Sequence, residues 1–446
     1  MKAPRSSPRN ADAEIELATG PTTPAKQRRQ LFSTFGYLIA TPGATAILGL
    51  GYWAITTRAF SARDVGIAAA AVSTAAFLAL IGSLGIGTLL LAEMGSMEPG
   101  IRRSVLASGT AISGCCVALL AVVTIALSPF LGSSLRAIGS DPVTAALFVG
   151  GAIATVAVTT FDSAAIGVHR GPAQLARGIL ASLLKIACVG VLIYVGRRTS
   201  AGLLFAWAGG LAASLAICQS FMHLDRTPVG ERHIGARIAL ARRYGRLSLN
   251  HHVLNLSINS VSYVLPVIAT LLVMPQQVAY FSTAQLVAQV VLMVPYLLTL
   301  TLFVETSSNE QLLHQHLRRT LPLGFAACLA IVAAVEFAAP IALRLFGAVY
   351  SAHGSTALRL LVLAGPSYVV KDHYVAIRRA QGRLTHGAKV VALATAAETI
   401  GGAVGGVFWG LTGLCAGWAV AAALEALVLL PVVLGVFRHP PAAEAA

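Results

Sequence analysis

HLDRTPVGERHIGARIALARRYGR, residues 223–246, carries Arg226, Arg232, Arg237, Arg242, Arg243 and Arg246 between two long tracts of almost unbroken apolar sequence. The position of this basic stretch decides how the rest of the chain is read. On each side lie six apolar runs, near 34–57, 65–94, 104–130, 143–168, 174–196 and 200–222 before it, and 247–273, 278–304, 321–340, 357–380, 387–409 and 411–436 after it. A helix needs about 20 apolar residues to cross the hydrocarbon of a bilayer, and most of these runs reach that length. The sequence therefore predicts an all-α polytopic membrane protein of about twelve transmembrane helices. It divides into a tail (1–30), a six-helix lobe (31–222), the basic connector (223–246), a second six-helix lobe (247–437) and a short tail (438–446).

The composition agrees. The 446 residues are 56% hydrophobic and only 11% charged, with a mean hydropathy of +0.77. A soluble domain carries about 25% charged residues. The net charge of +15 would suggest nucleic acid in a soluble protein, but in a polytopic one it belongs to loops that stay in the cytoplasm. With the N-terminus inside, most Lys and Arg fall on the cytoplasmic side. The opposite loops hold Arg58, Arg63, Arg136, Arg197, Arg198, Arg344 and Arg359. This sets both termini in the cytoplasm, leaves no role for nucleic acid, and lays the latter part of the connector along the anionic inner leaflet.

The two halves also align with each other at a spacing of about 211 residues: Gly202-Leu203 with Gly413-Leu414, Trp207 with Trp418, Gly171 with Gly382, and Asp162 with Asp372 one residue off that spacing. Six spans per half give both copies the same orientation, a parallel repeat of the kind that places a transport site between lobes. Thr41-Pro42-Gly43, Pro266, Pro295 and Pro366 interrupt spans one, seven, eight and ten, as kinks or as hinges. Gly402, Gly406 and Gly410, with Gly401 and Gly405 beside them, predict close helix packing in span eleven.

No phosphate-binding G-x-x-x-x-G-K-[ST] loop, H-E-x-x-H or G-x-S-x-G stretch occurs, so no cofactor, metal or hydrolytic chemistry is expected. The six cysteines all sit in apolar runs and read as packing residues. The informative residues are the charges inside spans, because a charge in hydrocarbon must face a cavity or a partner. Lys185 is central in span five. Lys371 and Asp372 lie in span ten, Asp162 in span four, Glu398 and Glu425 in spans eleven and twelve, and Glu336 near the end of span nine. The lysines read either as phosphate or carboxylate binders or as members of interhelical salt bridges, and the acids either as ion-coupling and charge-balancing groups or as structural partners. Span seven opens SLNHHVLNLSINS, which puts His251, Asn255 and Asn259 four residues apart on one helix face, with Ser248 and Ser262 extending it. That stripe suits a cavity wall that hydrogen-bonds a polar ligand.

The run Phe35–Gly51, the connector Arg58-Ala-Phe-Ser-Ala-Arg-Asp-Val-Gly66, Ile81-Gly-Ser-Leu-Gly85 and Leu345-Phe-Gly-Ala-Val-Tyr350 resemble oligosaccharide flippases of the multidrug/oligosaccharidyl-lipid/polysaccharide (MOP) exporter superfamily, over residues 31–437. The resemblance implies a non-enzymatic inner-membrane transporter. It would flip a polyprenyl-pyrophosphate-linked saccharide by alternating access, among membrane lipids and beside cell-envelope glycosyltransferases or a polymerase. Lys185 and Lys371 would then attract the pyrophosphate, Arg58 would stand at the outer mouth, His251, Asn255 and Asn259 would meet sugar, and Asp162, Asp372 or Glu398 would balance charge or couple an ion. The alternative is a MATE-like cation-coupled multidrug antiporter, although span one lacks the acid that such exporters often use.

Overall fold

A computed structural model of the chain describes residues 43–97, 99–219, 263–306, 311–381 and 383–438, together with Gly245, Ser248 and His252. Every described element is helical. In order they are α1 (43–59), α2 (Ala62–Gly82), α3 (Ile86–Glu93), α4 (Pro99–Leu127), α5 (Ser133–Ser140), α6 (Pro142–Gly167), α7 (Gly171–Tyr194), α8 (Ser200–Gln219), α9 (Tyr263–Leu272), α10 (Pro275–Thr306), α11 (Gln311–Leu343), α12 (Ala348–Leu363) and α13 (Gly365–Ala380). The last stretch, Leu384–Arg438, is two helices, α14 (384–408) and α15 (411–438), which meet where Trp409 and Gly410 leave helical geometry. Seven of these helical stretches are long and apolar enough to cross a membrane. The basic connector and both tails lie outside the described residues, Gly245 and Arg438 excepted.

Local chemistry explains the breaks. Span two is split into α2 and α3 because Leu84 and Gly85 both take positive φ, 49° and 75°. At Gly85 the conformation and the space both require glycine: a Cβ there would lie 2.1 Å from the Ser248 carbonyl oxygen. Ser248 Oγ also donates to the Leu84 carbonyl at 2.7 Å, so one member of the expected span-seven stripe is used to fasten this break. Pro366 proves to open a helix, standing in the first turn of α13, where its missing N–H costs nothing. Residues 348–356, expected as loop, belong to α12, whose Ser351 and Ser355 satisfy their hydroxyls on the carbonyls of Pro340 and Ser351.

The helices of each half pack mostly among themselves: α2, α3 and α4 gather round α6, and α2, α6 and α7 round α8, while α10 to α15 form the second group. Among the described elements, α2 against α10 is the extensive packing between the halves. At one end of the bundle this contact becomes backbone on backbone. A Cβ on Gly66 would lie 1.7 Å from the Pro275 carbonyl oxygen, and one on Gly132 would lie 2.5 Å from that of Leu271. Within the second group, α14 and α15 touch through glycines: a Cβ on Gly405 would fall 2.0 Å from Gly413 O, and one on Gly417 2.1 Å from Gly401 O. The glycine ladder thus packs helices, with Gly402 and Gly406 turned to Leu265 and Leu272 of α9, whereas Gly410 makes the α14–α15 turn at φ 58°.

Candidate functional site

Each half of the chain holds charge in its interior, and the two halves resolve it differently. In the first, α6 presents Asp162 to α7, and Arg177 grips both carboxylate oxygens, Nε and Nη2 each at 2.6 Å. Arg177 is 8% and Asp162 19% exposed at the side chain, so this is a largely desolvated two-pronged pair. Arg177, which the reading of the sequence did not single out, lies inside α7, about one and a half turns past the proline that starts the helix.

Arg177, Ala181 and Lys185 fall at successive four-residue steps on one face of α7, which carries Lys185 about 12 Å along the axis from the arginine. Gly210 of α8 makes room for it, since a Cβ there would stand 2.6 Å from Lys185 Cγ. The half-buried lysine reaches toward α1, where its Nζ lies 5.7 Å from the centre of the buried Tyr52 ring. Among the described residues no carboxylate comes within ion-pairing distance of it. A cation–π contact offsets only part of an ammonium's lost hydration, so the Lys185 ammonium is left without a counter-charge among the described residues.

In the second half the arrangement is reversed in sign. Lys371 of α13 is 9% exposed at its side chain and divides its ammonium between two acids, Glu398 Oε1 at 3.2 Å and Glu425 Oε2 at 3.1 Å. Those acids come from α14 and α15, 27 and 54 residues away. Tyr368, one turn before the lysine, donates to Glu398 Oε2 at 3.3 Å, and its ring lies 5.4 Å from Lys371 Nζ and 5.8 Å from the Trp418 ring. One ammonium is set against two carboxyl groups, so a proton or a second cation has to balance the cluster. Asp372, the neighbour of Lys371, points another way, as adjacent helical residues must, and has no ion-pair partner among the described residues.

The remaining expected site residues separate. Arg58, in the last turn of α1, donates through Nε to the Leu345 carbonyl at 3.0 Å and through Nη2 to that of Arg344 at 3.2 Å. It caps the end of α11 and so ties the two halves at the Gly66–Pro275 end. Glu336 is held by Arg359, with Nε 3.5 Å from its carboxylate. His251, Asn255 and Asn259 lie outside the described residues. Among the described residues no group of three His, Cys, Asp or Glu is placed to hold a metal ion, and the six cysteines are free.

Sequence reasoning missed Arg177, Tyr52 and Tyr368. For Arg177 a signal existed: it falls inside the apolar run 174–196, and Gly171-Pro172 marks the helix start before it, so it is a charge within a span that needs a partner.

No family model matches the sequence, and no curated protein matches it. Solved structures do match. An inward-facing MATE-family multidrug resistance transporter of the MOP superfamily superposes with a TM-score of 0.65 at 17% identity, over 88% of this chain and 95% of that one. The lipid II flippase MurJ in an inward closed conformation gives 0.67 at 13% identity, over 90% and 89%. An outward-facing MATE-family transporter gives 0.56 at 18%, over 90% and 94%. Taken with the all-helical bundle and its buried charges, these likenesses give the chain the fold of the MOP-superfamily transporters.

Proposed function

We propose that the protein flips or exports a lipid-linked oligosaccharide or polysaccharide precursor by alternating access, with Lys185 receiving the anionic phosphate of the carrier. The observation that carries this reading is the lysine itself: an interior ammonium faced by an aromatic ring and by no carboxylate among the described residues. In this reading the chain forms twelve spans in two six-helix lobes related by a parallel repeat, in the cytoplasmic membrane, with both termini and the 223–246 connector inside. His251, Asn255 and Asn259 would line the sugar path. Lys371 is left out of phosphate binding because Glu398 and Glu425 already share its ammonium, and Asp162 is balanced by Arg177. Asp372 is then the acid available for ion coupling. Likeness in fold to a lipid II flippase supports the substrate class.

The alternative, a cation-coupled antiporter of drugs or other small molecules, draws on a different observation: the second half carries surplus negative charge in Glu398, Glu425 and Asp372. Proteoliposomes separate the two. A hydrogen bond to a charged group contributes about 1.5–3 kcal/mol, so Lys185→Ala should slow translocation of a fluorescent polyprenyl-pyrophosphate saccharide by roughly ten- to a hundredfold. Unchanged headgroup flipping in that variant, with loss of organic-cation efflux in Asp372→Asn, would establish the antiporter instead.

A further inference from the structure

Beside the glycine crossing, α14 and α15 enclose a cavity of about 830 Å³ whose wall is almost wholly apolar. Its rim is formed by Leu393, Ile400, Trp409, Leu424 and Val428, each more than half exposed on the surface of the bundle. In a bilayer such a surface meets lipid chains. One ionisable side chain lines the groove, Glu425. Its side chain is 5% exposed; Oε2 is taken by Lys371, and Oε1 is buried with no hydrogen-bond partner.

Two facts make this oxygen informative. A buried acceptor without a donor loses its hydration for nothing in return. With both acids ionised, the cluster behind it is also short of one positive charge, since Lys371 is the single ammonium set against Glu398 and Glu425. Both deficits are met by one kind of group, a cationic hydrogen-bond donor, and the groove that Glu425 lines is otherwise walled by hydrocarbon. We propose that the α14–α15 groove binds an aliphatic amine from within the bilayer, its chain lying against Leu393, Ala397 and Leu424 and its ammonium on Glu425 Oε1. This site is separate from the anion site at Lys185 and does not depend on the transport reading. A proton on Glu425 is the competing way to balance the charge, and it gives no preference for an amine over an alcohol.

Trp409 on the rim supplies the readout. The full-length protein in phosphatidylcholine nanodiscs is titrated with a brominated long-chain primary amine and with the brominated alcohol of equal length, and tryptophan quenching is followed. Trp409→Phe identifies the part of the signal that comes from the groove. The amine should quench at a mole fraction about tenfold lower than the alcohol, equivalent to ~1.4 kcal/mol, and Glu425→Gln should bring the two curves together. Ala397→Phe fills the groove while leaving all three charges in place, and should abolish groove quenching by both probes, so it carries the test even if Glu425→Gln does not fold. Equal quenching by amine and alcohol in the native protein overturns the proposal, as does an amine preference that survives in folded Glu425→Gln or in Ala397→Phe.

Discussion

Replacing Lys371 by methionine would leave Glu398 and Glu425 facing one another in a buried site with no ammonium between them. Breaking a buried ion pair from one side costs about 3–5 kcal/mol, because the charge left behind is uncompensated. Lys371→Met should therefore lower the unfolding temperature of the detergent-solubilised protein sharply, and adding Glu398→Gln and Glu425→Gln should restore most of the loss. A triple variant as unstable as the single one would show that the lysine matters for packing and not for charge. The sequence made the need for partners legible, since ionisable residues within apolar runs demand them. It left the choice of partner open. Lys185 and Lys371 both lie within apolar runs, and only the fold brings two carboxylates to one and a tyrosine ring, 133 residues away in sequence, to the other.

Helices show the same division between what apolar length reveals and what contact reveals. The runs at 143–168, 174–196 and 200–222 became α6, α7 and α8 within a few residues, because apolar length is what ends at a loop. Helix α12 escaped that reading in its first half: Ser351, His353 and Ser355 dilute its hydropathy, yet their polar atoms are met by neighbouring carbonyls or by the Tyr280 ring, which stacks on His353 at 5.2 Å. The break after α2 escaped because Leu84 gives no sign of a positive φ. Glycines sort by contact in a way that sequence cannot show. Gly405→Ala would drive a Cβ to 2.0 Å from Gly413 O and should destabilise by about 1–3 kcal/mol. Gly150→Ala in α6, with nothing within 4 Å of the added atom, should leave the unfolding temperature unchanged or slightly raised. Parallel thermal melts of the two variants check the pair, and equal melting points would contradict the close approach of α14 and α15.

Across the bundle, the seam between the two halves at the Arg58 end rests on backbone contact at Gly66 and Gly132 and on the two bonds from Arg58. In the proposed alternating-access cycle this seam has to part, and its strength would set how often it does. Arg58 is exposed, which limits its contribution to about 1 kcal/mol, or a roughly fivefold change in the population of the parted form. In a background freed of native cysteines, a cysteine at Thr270, fully buried beside Gly132, should react with a soluble maleimide about fivefold faster once Arg58→Ala is added. An unchanged rate would mean that the glycine contacts alone hold the seam. The sequence flagged Arg58 for its place at a mouth between lobes; its hold on carbonyls 287 and 286 residues away follows from the helix end that the fold puts beside it.

The Lys371 cluster also bears on how the chain is made. Helices α13, α14 and α15 leave the ribosome in that order, and each carries at least one charge whose partner lies on another of the three. A lone charge at the middle of a membrane helix costs about 2.5–3.5 kcal/mol during insertion, so α13 enters lipid at a penalty until its successors are synthesised. The last three helices are thus bound to a common fate at the translocon. A nascent chain stopped at residue 410 should be degraded quickly, while one extended through Arg438 should resist degradation, as pulse-chase labelling would show.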